Sequence, residues 1–67
     1  MLTITINGES RPFETEMHLS DLLKHMGINE RFIAVAHNGS VLRRDELEYV
    51  TLKDGDILEL VRPVGGG

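Results

Sequence analysis

Leu2, Ile4 and Ile6 alternate with Thr3 and Thr5, a period of two that marks a strand with one buried face. Asn7-Gly8 follows, and Asn-Gly is a strong hairpin signal because both residues tolerate positive φ. The return strand covers residues 9 to about 14 with Phe13 pointing inward, and Pro12, which cannot donate to a ladder, places it at a sheet edge. The period then lengthens. Leu19, Leu22, Leu23 and Met26 stand at i, i+3, i+4 and i+7, the stripe of a helix of about two turns. Ser20 and Asp21 fall in its first turn, where the helix dipole favours a carboxylate, and Gly27 is placed to cap its end with Ile28 packing back. So short a helix is not stable alone and must lie against a sheet. Residues 33–36 predict a third strand, closed by a second Asn-Gly at Asn38-Gly39, with Val41 and Leu42 as a short return. Asp45 is placed to cap a brief helical turn carrying Leu47, and Tyr49 and Leu52 are expected to add to the core. Asp54-Gly55, a third dipeptide of hairpin type, introduces a last strand over residues 56–61.

The order is strand, strand, helix, strand, strand, short turn, strand. One helix laid across one mixed sheet of four to five strands is the economical way to bury one apolar face with so little chain. This α+β order is similar to the β-grasp fold of ubiquitin-like proteins. The crossover through the helix predicts that the first and last strands are central, parallel neighbours. The expected organisation is a folded domain over residues 1–62 and a flexible tail over residues 63–67.

Sixty-seven residues make one domain, and a chain this size buries only about 60% of its unfolded surface. With no cysteine, neither disulfides nor thiolate metal sites can assist, so the fold rests on an apolar core supplied by 40% hydrophobic residues. A pocket able to enclose a substrate would consume much of that core, and no nucleophile–base constellation is visible, so a carrier or binding module is expected rather than an enzyme. A net charge of −4 argues against nucleic acid: the nearest basic pair, Arg43-Arg44, is followed at once by Asp45 and Glu46. The opening MLTITINGE lacks the features of a signal peptide, and the longest apolar stretch, residues 32–36, is too short to span a bilayer. A cytoplasmic protein without a membrane role is the expectation. His18 and His25 are seven apart, about 10 Å along a helix at 1.5 Å per residue and too far to share one ion, and His37 sits beside a turn. All three read as solvated surface histidines, and Asp54 and Asp56 read as turn residues lacking the further ligands of a calcium loop. Met17 and Met26 read as core filler. No bound metal or cofactor is expected.

The sequence closes on Val64-Gly65-Gly66-Gly67 after Arg62-Pro63. Glycine averages about 7% of residues, so three fixed glycines match by chance roughly three times in ten thousand. Without a Cβ, glycines can thread a channel too narrow for other residues and leave a terminal carboxylate unshielded. Four residues beyond Pro63 reach at most about 13–14 Å, enough to enter another protein's active site, and Pro63 stiffens the point of departure. A carboxylate is anionic at neutral pH and a poor electrophile. Reaction with ATP would give an acyl-adenylate, and a sulfur nucleophile such as a persulfide would then displace AMP to yield a thiocarboxylate.

The segment DGDILELVRPVGGG resembles the terminal signature of the ThiS family of sulfur carriers, and NGE, DLL and AVAHNG earlier in the chain resemble that family too. The likeness covers essentially the whole chain, the DGD turn and glycine tail being its most specific parts. It departs in ending on three glycines where many members have two after another residue, and in placing His37 where an apolar residue is common. The resemblance implies that Gly67 is adenylated by a ThiF-type enzyme, which uses the ATP, and is converted to the thiocarboxylate by a persulfide-bearing donor. It further implies transfer of that sulfur to thiazole synthase, ThiG, for the thiazole ring of thiamin. Gly65 and Gly66 would line the partners' channels, with Arg62, Pro63 and Val64 guiding the approach. Strand alternation sets Ile57, Glu59 and Val61 opposite the inward Leu58 and Leu60, with Ala34 and Ala36 on that same open face, as a docking patch for the adenylating enzyme. Rival readings are a MoaD-like carrier for molybdopterin or another sulfur pathway, a ubiquitin-like protein modifier, and a plain binding module.

Overall fold

A computed structural model describes residues 1–62. Alternating apolar residues form β1 (Leu2–Ile6), which turns through Asn7 and Gly8 into β2 (Glu9–Phe13). Asn7 (φ 50°) and Gly8 (φ 85°) both take the positive φ that this two-residue turn requires, and Asn38 (φ 49°) and Gly39 (φ 88°) repeat it between β3 (Ala34–His37) and β4 (Ser40–Leu42). β5 (Ile57–Val61) completes a five-stranded sheet in the order β2-β1-β5-β3-β4. β1 and β5 run parallel side by side near its centre and the other pairs are antiparallel. This is the β-grasp arrangement, with the first and last strands paired as the crossover required.

The helix α1 (Leu19–His25) lays Leu19, Leu22 and Leu23 on the sheet, all essentially inaccessible to water. It ends in a Schellman motif: the Ile28 amide donates to the Leu23 carbonyl at 2.9 Å and the Gly27 amide to the Lys24 carbonyl at 3.0 Å. Ile28 then packs back onto the core, as do Met17, Met26 and Phe13. Against the helix stand Leu2, Ile4 and Ile6 of β1, Val35 of β3 and Leu58 of β5, closed at one end by Leu47 and Leu52.

Four expectations need correction. The helical turn is a 3₁₀ segment over Arg44–Tyr49 and starts before Asp45, which lies in its first turn instead of capping it. Glu46 serves the cap, reaching back to accept from the Arg43 amide at 2.8 Å. Tyr49 is 77% exposed and adds nothing to the core; with three residues per turn the inward position after Leu47 is Val50, which does pack on it. Asp54-Gly55 forms a turn but no hairpin, because β5 leaves it to pair parallel with β1. His37 is not a solvated surface histidine: it lies in the β3 ladder with its side chain only 22% exposed. Among the described residues no helix is long and apolar enough to cross a membrane.

Candidate functional site

β5 leads to Arg62, so its placement decides where the chain passes on to the glycine-rich segment of the sequence. Pro63, Val64, Gly65, Gly66 and Gly67 lie outside the described residues. The candidate site is therefore the end of β5 at Arg62, with the surfaces on either side of it.

Ladder register brings the expected open-face residues together. Ala34 pairs with Val61 and Ala36 with Glu59 between β3 and β5, so these four share the face turned away from the helix. Ile57 joins them, beside Thr5 of β1. Ile57 and Val61 are half exposed, and Val41 of β4, which pairs with Ala36, is 78% exposed. Sequence reading missed Val41, because three residues of β4 are too few for alternation to declare itself. Of the strand residues on this face Glu59 alone carries a charge, the rest being small, apolar or hydroxyl-bearing. The result is a shallow apolar surface that runs up to Arg62.

On the helix side a hollow of about 340 Å³ is lined by Met26, Ile28, Ile33, Leu60 and Arg62 among others. A neighbouring one of about 250 Å³ shares Ile28 and Arg62 and has the exposed Phe32 at its rim. A larger hollow of about 550 Å³ lies among Glu30, Arg43, Arg44, Asp45 and Glu48, and shares no lining residue with either. Its charges are mixed, two arginines against three carboxylates.

Polar side chains fix β5 at both ends. At its start the Thr3 amide donates to Asp54 Oδ1 at 2.7 Å, tying the turn to β1. Asp56 collects three donors: His37 Nε2 and the Lys53 amide at 2.9 Å on Oδ2, and Asn38 Nδ2 at 3.2 Å on Oδ1. Burial pushes the Asp56 carboxyl up, but these hydrogen bonds and the charge of His37 outweigh it and hold the carboxyl below the ordinary aspartate value. Asn38 also binds Ile57 through its own amide and Oδ1, both at 2.8 Å. At the far end the Asn7 carboxamide meets the backbone of Leu60. Sequence reading saw the asparagines and aspartates as turn formers. Their second role depends on which strands become neighbours, which no local signal reports.

Among the described residues no group of three histidine, aspartate or glutamate side chains is placed to hold a metal ion. His18 occupies the position before α1 and touches Thr51, and His25 ends the helix exposed to solvent.

The model of the ThiS family matches residues 4–67. The sulfur carrier protein ThiS of Thermus thermophilus is 34% identical over 64 residues, covering 96% of this chain and 98% of that protein. The thiazole synthase of Paramagnetospirillum magneticum is 36% identical over 66 residues, covering 98% of this chain; the chain spans 20% of that relative's length. Among solved structures, the crystal structure of the thiamine biosynthesis protein ThiS of Geobacter metallireducens superposes with a TM-score of 0.86 at 29% identity, covering 98% of this chain and all of that one.

Proposed function

The chain belongs to the ThiS family, and from that premise we propose that it carries sulfur on the carboxylate of Gly67 for thiazole formation in thiamin biosynthesis. The observation that carries this reading is the extent of the family match, which runs through the glycine segment to Gly67 as well as across the fold. A ThiF-type partner joins the Gly67 carboxylate to the AMP of ATP and releases pyrophosphate. A protein-bound persulfide displaces AMP and forms an acyl disulfide. A second thiol of the donor then attacks the donor's own sulfur, leaving a disulfide on the donor and a thiocarboxylate on Gly67. Every one of these steps draws its catalytic groups from the partners. The chain contributes a stable body, a shaped surface and an acyl end, and it works in the cytoplasm as a substrate of other enzymes.

The open face of Ala34, Ala36, Ile57, Glu59 and Val61 is the surface on which the adenylating enzyme docks. Support comes from its continuity with Arg62 and from its single charge. Arg62, Pro63 and Val64 guide the tail, and Gly65 and Gly66 occupy the narrow part of the partner's channel. Thiazole synthase is the acceptor. A stretch related to this chain lies within a protein named thiazole synthase, and joining two partners in one chain raises their effective concentration.

Intact mass spectrometry of the protein from its native host tests the chemistry. The expected result is a sulfur-for-oxygen mass increase confined to the peptide that ends at Gly67. Unmodified protein in cells making thiamin, together with no adenylate on incubation with ATP and a ThiF-type enzyme, would refute it.

A further inference from the structure

The β1–β5 ladder is short: its register pairs are Thr5 with Ile57 and Ile6 with Leu58. The Asn7 amide still donates to the Leu58 carbonyl at 3.0 Å, but there β1 turns away through Asn7-Gly8 toward β2. β5 continues for three more residues to Val61. In a strand the amide and carbonyl of one residue point to the same side, and those of Leu60 point toward the space β1 has vacated. The Asn7 carboxamide fills it. The Leu60 amide donates to Asn7 Oδ1 at 2.8 Å, and Asn7 Nδ2 donates to the Leu60 carbonyl at 3.3 Å. One side chain thus presents the acceptor and the donor that two successive inward-bonding positions of a continued β1 would have presented.

We infer that Asn7 is a positioning residue for the tail: its carboxamide holds the last turn of the β5 ladder in register and so fixes the point and direction from which residues beyond Arg62 leave the domain. The turn itself does not require asparagine, because glycine adopts the same positive φ at least as readily. An amide side chain is required if both groups of Leu60 are to be met. Asn38 provides an internal contrast. It occupies the same place in the other Asn-Gly turn and binds the opposite end of β5 at Ile57, away from the tail. The inference rests on the carrier reading above for its functional consequence, but its structural part can be measured without any partner.

The experiment compares the full chain with Asn7→Gly and Asn38→Gly. In the isolated protein, Asn7→Gly is expected to raise hydrogen exchange of the Leu60 amide by about tenfold and to shift the Arg62 resonances, whereas Asn38→Gly acts at Ile57 and leaves Leu60 alone. With a ThiF-type enzyme and ATP, adenylation of Asn7→Gly should show kcat reduced by roughly tenfold or more with KM within about twofold, since a misplaced reacting end costs rate more than binding. Asn38→Gly should keep kcat even where it melts earlier. Wild-type exchange at Leu60 and wild-type kcat in Asn7→Gly would overturn the inference, as would an equal loss of kcat in Asn38→Gly. If the wild-type chain is not adenylated, the carrier reading fails, and the Leu60 exchange and Arg62 shifts still decide whether Asn7 holds this end of β5. Should Asn7→Gly fail to fold, Asn7→Asp keeps the acceptor for the Leu60 amide but sets a carboxylate oxygen against the Leu60 carbonyl. Leu60 exchange should then stay near wild type while the Arg62 resonances shift and kcat falls; wild-type Arg62 shifts and wild-type kcat would overturn the inference.

Discussion

Replacing Asp56 by alanine strips the start of β5 of one carboxylate and leaves three donors without their acceptor: the Lys53 amide, His37 Nε2 and Asn38 Nδ2. Hydrogen bonds to a charged group are each worth about 1.5–3 kcal/mol when measured by substitution. The full sum does not apply, because the His37 and Asp56 side chains are 22% and 13% exposed and water can reach part of the site. A loss of about 2–3 kcal/mol is expected, against a total of roughly 3–10 kcal/mol for a domain of this length. At about 4–8 °C per kcal/mol, the melting temperature falls by roughly 10–20 °C. Asp56→Asn, which keeps one neutral acceptor, should lose about half as much free energy. The pH dependence is the sharper test. The folded-state value of Asp56 lies below its unfolded value, so its contribution is complete above the unfolded value, near 3.9, and is lost as pH falls through the folded value. Urea unfolding followed by circular dichroism at neutral pH and again in acid measures both effects. A neutral-pH loss below about 0.5 kcal/mol would refute the reasoning, as would a wild-type-to-Asn gap that stays constant into acid.

Alternation along β5 makes Leu58→Ala cost about 2–5 kcal/mol in chemical denaturation while its exposed neighbour Ile57→Ala costs less than about 1, and equal losses would show that the faces are misassigned. Val61→Glu should melt within a few degrees of wild type yet weaken adenylation by a ThiF-type enzyme at least tenfold in kcat/KM, since a carboxylate at a 57% exposed position costs little until a partner covers it. Deleting Gly66 and Gly67 should leave the melting temperature unchanged and abolish both adenylate and thiocarboxylate, read by intact mass and by growth without supplied vitamin.

Much of the fold was legible because each side of the sheet has one job. Leu2, Ile4 and Ile6, and Leu58 and Leu60, declare their inward face by alternation, and the three-leucine stripe of α1 declares the partner surface. Two Asn-Gly pairs fixed both hairpins, and their backbones take the expected φ values. Legibility ended where spacing ceased to be periodic. Tyr49 follows Leu47 by two, a strand-like interval, but lies on a 3₁₀ turn where an interval of three returns to the core. His37 carried no sign that Asp56, 19 residues on, would stand 2.9 Å from it. The common face of Ala34, Ala36, Ile57, Glu59 and Val61 was legible because successive strand residues point to opposite faces, whereas the register that pairs them belongs to the assembled sheet and Val41 sits on too short a strand to read. The contacts of Asn7 and Asn38 with β5 depend on a parallel pairing between distant segments, and that is a property of the assembled sheet.

The centre of the inward face is filled with apolar side chains. Leu2, Ile4, Ile6, Val35, Leu58 and the three helix leucines are all buried, and each large side chain supplies about 1.5–3 kcal/mol toward a small total. A pocket cut into that layer would remove several of them at once. The open face has the opposite freedom: Ala34, Ala36, Glu59 and Val61 add little to stability, so their identity is available for a partner to set. β5 is where the two constraints meet. Its inward leucines are held by the core, its start by Asp56 and Asn38, and its end by Asn7, so the strand can pass through the middle of the domain without its far end drifting. On the carrier reading proposed above, the chain has to present its acyl end reproducibly to its partners. Stiffening the last strand with side-chain amides accomplishes that without enlarging the core.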